Sequence, residues 1–354
     1  MPDIDDLTLI VGNRTLSGWE SVNVTRGIEI IPGHFDVSMT ERYPNASDFV
    51  VSPGDPCRVL LGGDTVITGY VDAYLPSFDD KTHTVRVLGR GKCQDIVDCS
   101  ASWPSCQFMS STVRKIAQEL CKPYGIEVQG EQGILVPQYN FHISDNAYSI
   151  IETLCRCSSL LAYEIPSGDL LLSKVGNVLA SGGVAEGVNI EKASFEQRVD
   201  HRYSIYQIDR ISMNVFGELG DAWNQLATVT DAEIKRYRLL SFISEIGNFG
   251  VALAQKRGEW EMKRRFGRGY KLEITTDSWR DSAGLLWEPN TLVPISLPAL
   301  KVPERLNWLL SEVTYQRDET GTHAKLTLMP PESFTVEPTL PNWVKGLGDI
   351  IPTH

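Results

Sequence analysis

The pattern that most restricts what this chain can fold into occurs twice, at positions far apart in the sequence. Pro53-Gly54-Asp55 leads into strand-like runs at Cys57–Leu61 and Val66–Ala73, the acidic turn Asp79-Asp80, and then Thr82-His83 ahead of Thr84-Val85-Arg86-Val87. Pro289-Asn290-Thr291 leads in the same order into Leu292–Leu297, Leu309–Tyr315, the acidic turn Asp318-Glu319, and Thr322-His323 ahead of Ala324–Leu328. Two unrelated hairpins can look alike at this level. The sharper reading is a duplicated structural unit, because long-range self-similarity is its usual mark. The expectation is two copies of one antiparallel barrel, with His83 and His323 at equivalent strand starts.

The segments around the two copies fill in the fold. Up to Ser100, β-branched and polar positions alternate between Gly, Pro, Asn and Asp punctuation, as in short antiparallel strands. Thr8–Val11, Gly12-Asn13 and Arg14–Leu16 read as an opening hairpin. Strands at Ser21–Thr25 and Phe35–Met39 complete a small closed or nearly closed barrel. The period then changes. Val113, Ile116, Ala117, Leu120 and Cys121 form the stripe of an amphipathic helix, with Ser110 or Ser111 as N-cap and Gly125 past its end. Ala147, Ile150, Ile151, Leu154 and Cys155 repeat that spacing behind Ser144 and Asp145. Leu160–Ile165 and Leu170–Leu172, joined by Pro166-Ser167-Gly168-Asp169, give a hairpin for both helices to pack on. Strand character returns at Ser204–Ile211 and from Tyr270 onward, with a helical stretch over Phe249–Phe266 between them. The fold class is therefore β-rich α+β: two related antiparallel β-barrel domains, an intervening α/β module and a basic helix. The expected divisions are an N-terminal barrel over 1–99, the α/β module over 100–178, a second barrel over 179–335 that includes helical segment 249–266, and an extended, Pro-containing arm over 336–354.

Composition removes several function classes. A chain of 354 residues with 42% hydrophobic content can bury such cores, and no apolar run approaches the roughly 20 residues of a membrane-spanning helix. No integral membrane segment is expected. The acidic start Met1-Pro2-Asp3-Ile4-Asp5-Asp6 lacks the basic and then apolar order of a secretory signal, so the chain is expected to be made in the cytoplasm. Thirty-three basic against 45 acidic residues, a net charge of −12, argue against sequence-specific or general nucleic acid binding. Cysteines at 57, 93, 99, 106, 121, 155 and 157 suit reduced, mostly buried thiols.

No reacting constellation emerges. Cys93, Cys99 and Cys106 are spaced too widely for a zinc site, and Cys155-Arg156-Cys157 is a lone pair. Glu259 with Glu261 point in different directions on a helix, and Asp79 with Asp80 are turn acids, so neither is a hydrolytic pair. Neither a phosphate loop nor a nucleophile elbow is present. The chain is expected not to be an enzyme, with no catalytic residue, cofactor or metal. What stands out is the basic run Lys256, Arg257, Lys263, Arg264, Arg265 and Arg268 on the predicted helix, either a solvated face or a seam that meets acids of a neighbouring chain. Arg257, Arg264, Arg265 and Arg268 are the candidates for subunit or partner contact. Trp343 in the arm joins them, because tryptophan supplies large contact area at low entropy cost. Two barrels per chain also have a geometric consequence: three chains in closed symmetry place six like domains in a ring, able to join sixfold to threefold structures.

At this point particular strings carry a resemblance. Leu16–Arg26, Gly62–Asp72, Gly89-Arg90 with Asp95–Ser100, Glu259-Trp260-Glu261 with Arg264-Arg265, Leu286–Val293 and Leu328–Phe334 are similar to the baseplate hub, or 43-kDa tail protein, of Mu-like contractile-tail bacteriophages and prophages. The resemblance spans nearly the whole chain. It implies a homotrimer at the distal end of the tail tube, a symmetry adaptor between the sixfold tube and the threefold spike. The implied partners are tail-tube or tube-initiator proteins, a membrane-piercing spike protein and baseplate wedge proteins. The implied location is the virion tail baseplate, with assembly in the host cytoplasm. The alternative is a tail-tip cell-surface carbohydrate-binding protein with Trp103, Trp223 or Trp279 as stacking platforms, and a hydrolase is a third reading. Neither rival accounts for the repeat.

Overall fold

The computed structural model describes residues 6–40, 51–80, 82–176, 178–211, 223–243, 250–303 and 306–335. The first unit contains β1 (Leu7–Val11), β2 (Arg14–Leu16), β3 (Ser21–Gly27), β4 (His34–Thr40), β5 (Pro56–Leu61), β6 (Asp64–Phe78) and β7 (His83–Gly91). Two-residue turns set its hairpins, Gly12-Asn13 between β1 and β2 and Gly62-Gly63 between β5 and β6. Gly62 and Gly63 have φ of 57° and 101°, the left-handed backbone that a tight hairpin needs and a Cβ opposes. The strands pair antiparallel in the order β3-β4-β7-β6-β5-β1-β2. Their alternation buries one face: Val22, Val24, Phe35, Val37, Val85 and Val87 are each 2% exposed or less.

The module follows with α1 (Gln94–Asp98), β8 (Gln107–Thr112), α2 (Val113–Cys121), β9 (Val128–Gly130), β10 (Leu135–Asn140), α3 (Ala147–Cys157), β11 (Leu161–Glu164) and β12 (Leu170–Ser173). Both longer helices bury the stripe read from sequence, in a core that also holds Leu170 and Leu172. Their caps differ from the serines and aspartate expected. Thr112 Oγ1 accepts the Lys115 N–H, and Asn146 Oδ1 accepts the Ser149 N–H at 2.7 Å. Ser111 is held in β8 opposite Val136, and Asp145 instead accepts from the His142 N–H, so neither is free to cap.

The second unit contains β13 (Val178–Leu179), β14 (Val184–Ala185), β15 (Ile190–Gln197), β16 (Ile205–Ile211), β17 (Trp223–Thr230), β18 (Leu239–Ile243), α4 (Gly250–Arg268), β19 (Tyr270–Thr276), β20 (Thr291–Leu292), β21 (Ile295–Ser296), β22 (Leu309–Asp318) and β23 (Gly321–Met329). Its pairing order β15-β19-β23-β22-β20 repeats β3-β4-β7-β6-β5 strand for strand. Even the irregularities coincide: β6 and β7 slip register between Val71 and Ala73, and β22 and β23 slip between Leu310 and Glu312. Alignment on that bulge sets Ala324 with Val85 and Leu326 with Val87, buried residue on buried residue. It also corrects the histidine equivalence. His323 falls with Thr84, one step from His83, and one step in a strand turns the side chain to the other face.

The two units are continuous. β22 pairs with β3 from Glu312 opposite Gly27 to Arg317 opposite Val22, which joins the two related units into one 13-stranded curled sheet. One apolar core runs under both, from Val24 and Val37 to Tyr315 and Leu326. The units differ in what interrupts them. Residues 28–33 link β3 to β4, whereas residues 198–269 link β15 to β19 and carry the small β17-β16-β18 sheet and α4.

Candidate assembly surface

The basic helix is less free than its sequence suggests. Arg257 lies over the Phe242 ring at 5.4 Å and Arg264 over Trp260 at 5.5 Å. Arg265 donates to Glu261 at 2.5 Å and to the His201 carbonyl at 3.0 Å. Arg268 donates to the Ser333 carbonyl at 3.2 Å, pairs with Glu29 and covers the Phe334 ring. Arg257, Arg265 and Arg268 therefore clamp α4 onto the first unit, the small sheet and the turn Pro331–Phe334, Arg264 stacks within the helix, and Lys256 and Lys263 are exposed. Beneath them Arg202, 3% exposed, is held by Asp231 at 2.7 Å and Glu233 at 3.1 Å. A groove of about 470 Å³ opens between α3 and α4, with Glu152, Arg156, Trp260, Arg264, Arg268 and Phe334 among its lining.

A second polar cluster, not evident in the sequence, lies where the module meets both units. Arg26 of β3 is 5% exposed and donates to both carboxylate oxygens of Glu288 at 3.1 Å. Glu164, at the end of β11, reaches into the first unit and accepts the Cys93 N–H at 2.8 Å and the Gly33 N–H at 2.9 Å. A Cβ on Gly91 would lie 1.9 Å from that carboxylate, so the glycine is what lets it in. Burial pushes the Glu164 carboxyl up to about 7, against the pull of those two donors and of Arg26. Asn290, at φ 65°, accepts the Gly176 N–H at 2.8 Å and donates to the Lys174 carbonyl at 2.9 Å. The only advance signals were the turn Pro289-Asn290-Thr291 and the glycines before Cys93.

The remaining predicted residues are placed as follows. Trp279 is fully buried and donates to the Gln316 carbonyl at 2.9 Å, and Trp103 stacks on Phe108 at 4.7 Å. Trp279 therefore cannot serve as a sugar platform, and Trp103 presents a ring already covered on one side. Trp343 and the arm 336–354 lie outside the described residues, as does the Trp223 side chain. Cys57, Cys93, Cys121 and Cys155 are buried, and burial pushes the Cys57 and Cys121 thiols up to about 12. Among the described residues no group of three His, Cys, Asp or Glu is arranged to hold a metal ion, and no helix is long and apolar enough to cross a membrane.

Residues 6–91 match the model of the N-terminal part of Mu phage GpP-like baseplate assembly proteins, 93–174 the second domain of gp44-like baseplate hub proteins, and 250–337 the fourth domain of the Mu phage baseplate assembly protein GpP. The chain is 30% identical over 345 residues to the baseplate hub protein gp44 of Escherichia phage Mu, covering 93% of this chain and 89% of that protein. The crystal structure of the 43 kDa tail protein of prophage MuSo2 from Shewanella oneidensis is 30% identical and matches with a TM-score of 0.83, over 94% of this chain and 100% of that one. A tail protein from Neisseria meningitidis MC58, 19% identical, shares the fold with a TM-score of 0.73 over 94% of this chain and 98% of its own. The β-rich architecture and these matches define a phage tail baseplate protein. Within that class, the chain belongs to the family of the Mu baseplate hub protein gp44. Its relatives are structural parts of the baseplate.

Proposed function

We propose that three copies of this chain form a ring of six like sheets that adapts a sixfold tail tube to a threefold spike in a contractile tail. The carrying observation is the repeated strand order, β3-β4-β7-β6-β5 and β15-β19-β23-β22-β20, within one chain. A chain that holds two equivalent units offers a sixfold neighbour six equivalent docking places and a threefold neighbour three. In this reading tail-tube or tube-initiator proteins stack on one side, the membrane-piercing spike on the other, and wedge proteins around the rim, after assembly in the host cytoplasm. The chain divides as 1–99, 100–178, 179–335 and 336–354. The groove beside Arg264 and Arg268, the α4 face with Arg257 and Arg265, and the arm with Trp343 are its partner contacts. Three copies at −12 each would not retain passing DNA through its phosphates. Light scattering of the purified protein tests the ring: a mass three times the 39.4 kDa chain is expected, and a monomer at high concentration overturns it.

A further inference from the structure

The two edges joined between the units inside one chain each have an equivalent elsewhere in the same chain. Internally, the outer edge of β22 beyond its bulge, Glu312–Arg317, pairs with β3. The equivalent of that edge in the first unit is the end of β6 beyond its own bulge, residues 73–78. β5 covers β6 only from Asp64 to Tyr70, and among the described residues no strand pairs with the outer side of Leu75–Phe78. The equivalent of β3 in the second unit is β15, which ends the sheet and, among the described residues, pairs only with β19. Each chain thus ends in two unlike edges, the same two kinds that are already joined at its centre.

We infer that subunits join by antiparallel addition of β15 of one copy to the Leu75–Phe78 edge of the next, extending the curled sheet around the ring; this rests on the ring reading above. The internal register transfers directly. Gln316 opposite Asn23 becomes Ser77 opposite Ser194, Tyr315 opposite Val24 becomes Pro76 opposite Phe195, and Arg317 opposite Val22 becomes Phe78 opposite Ala193.

The chemistry of both edges fits. The Arg198 N–H to Gly269 carbonyl bond fixes the alternation of the β15–β19 ladder, and this turns the N–H groups of Ala193 and Phe195 away from β19, toward the open side. The Asp79 N–H to Thr82 carbonyl bond does the same for Phe78 on β6. Pro76 has the same parity, so its missing N–H costs the β6–β7 ladder nothing, and the seam has one donor fewer than the internal joint. A proline at that place also keeps an open edge from pairing with unrelated strands. Phe78 is 84% exposed and Leu75 45% exposed. Phe78 faces the side on which Tyr315 is buried in the other unit, and the half-buried Ala193 and Phe195 of the next copy would cover it. A pairing of two unlike edges is head-to-tail and can close into a ring.

The test is the full-length chain carrying Ser77→Cys with Ser194→Cys, oxidised and run without reductant. A directly opposed antiparallel pair lies within disulfide reach, so covalent dimers and trimers are expected, absent from either single variant and reduced at least tenfold when Ser77→Cys is combined with Lys192→Cys. Ala193→Pro, which removes only an outward donor, is expected to yield a monomer with the wild-type circular dichroism spectrum. If the wild type is trimeric but the Ser77/Ser194 pair does not cross-link and Ala193→Pro stays trimeric, the seam is wrong and the ring stands. If the wild type is monomeric and nothing cross-links, both are overturned.

Discussion

β3 and β15 hold the same place in two copies of one fold, and their burial is opposite. In β3, Val22 and Val24 are sealed, and even Thr25 and Arg26 are 5% exposed. In β15 the corresponding Ala193 and Phe195 are only half-buried, with Glu191, Lys192, Ser194 and Gln197 exposed. The cause is the neighbour: β3 lies between β4 and β22, whereas among the described residues β15 pairs with β19 alone. A covered strand can be apolar and can bury an arginine against Glu288; an open one must carry charge to stay soluble. The repeat conserves pairing order, and position in the sheet decides what each strand is made of.

The largest test of that contrast places one charge at matched positions. Val22→Asp should cost about 4 kcal/mol or more, since the carboxylate would be buried without a partner, while Ala193→Asp should cost the isolated chain about 1 kcal/mol or less. Urea unfolding of both variants at a concentration that keeps the chain monomeric measures the difference, and equal costs would remove the distinction between the strands.

The next test concerns what each unit receives at the end of its last strand. Beyond β7 the first unit takes in Glu164 of the module; beyond β23 the second takes in α4, whose Gly267 would place a Cβ 2.5 Å from the Ser333 nitrogen. Glu164 has a folded pKa of about 7 against an ordinary 4.5, so the folded state holds the extra proton between those values. Its contribution is therefore greatest below pH 4.5, falls as pH rises through 7, and is constant above, a loss of up to about 3 kcal/mol. Unfolding free energies from pH 5 to 8 should show that downward slope, and Glu164→Gln should flatten it. A variant with an unchanged slope would assign the proton elsewhere.

Gly267→Ala sets about 1 kcal/mol of gained helix propensity against the 1–3 kcal/mol cost of overpacking that contact, for a net loss of about 1 kcal/mol by thermal melting. A gain in stability would mean that the Ser333 turn yields freely. The smallest effect is expected at Arg86, half-exposed and paired with Asp36: Arg86→Ala should cost under about 1 kcal/mol and vanish in molar salt.

Much of the site was invisible to the sequence for the same reason that β15 was. Ile190–Gln197 carries Glu191, Lys192 and Glu196, so its apolar alternation is too weak to read as a strand, although it is the structural equal of β3. The basic helix was legible as basic, but not as a set of arginines spent on Phe242, Trp260 and Phe334. Glu164 read as an ordinary hairpin residue, because the two N–H groups it accepts come from Gly33 and Cys93, far away in the chain.

What sequence alone determined is whatever local period and turn chemistry can encode: the first-unit hairpins with their glycines, the stripes of α2 and α3, and the fact of duplication. What only the tertiary structure decided is which edges are joined and what the joints bury: the fusion of β3 to β22, the sealing of Trp279, and the enclosure of Arg26, Glu288 and Glu164. Backbone donors and acceptors are the same at every residue, so a strand's sequence does not name its partner across hundreds of residues. Burial, and with it the pKa of an acid or the price of a charge, comes into being only when that partner arrives.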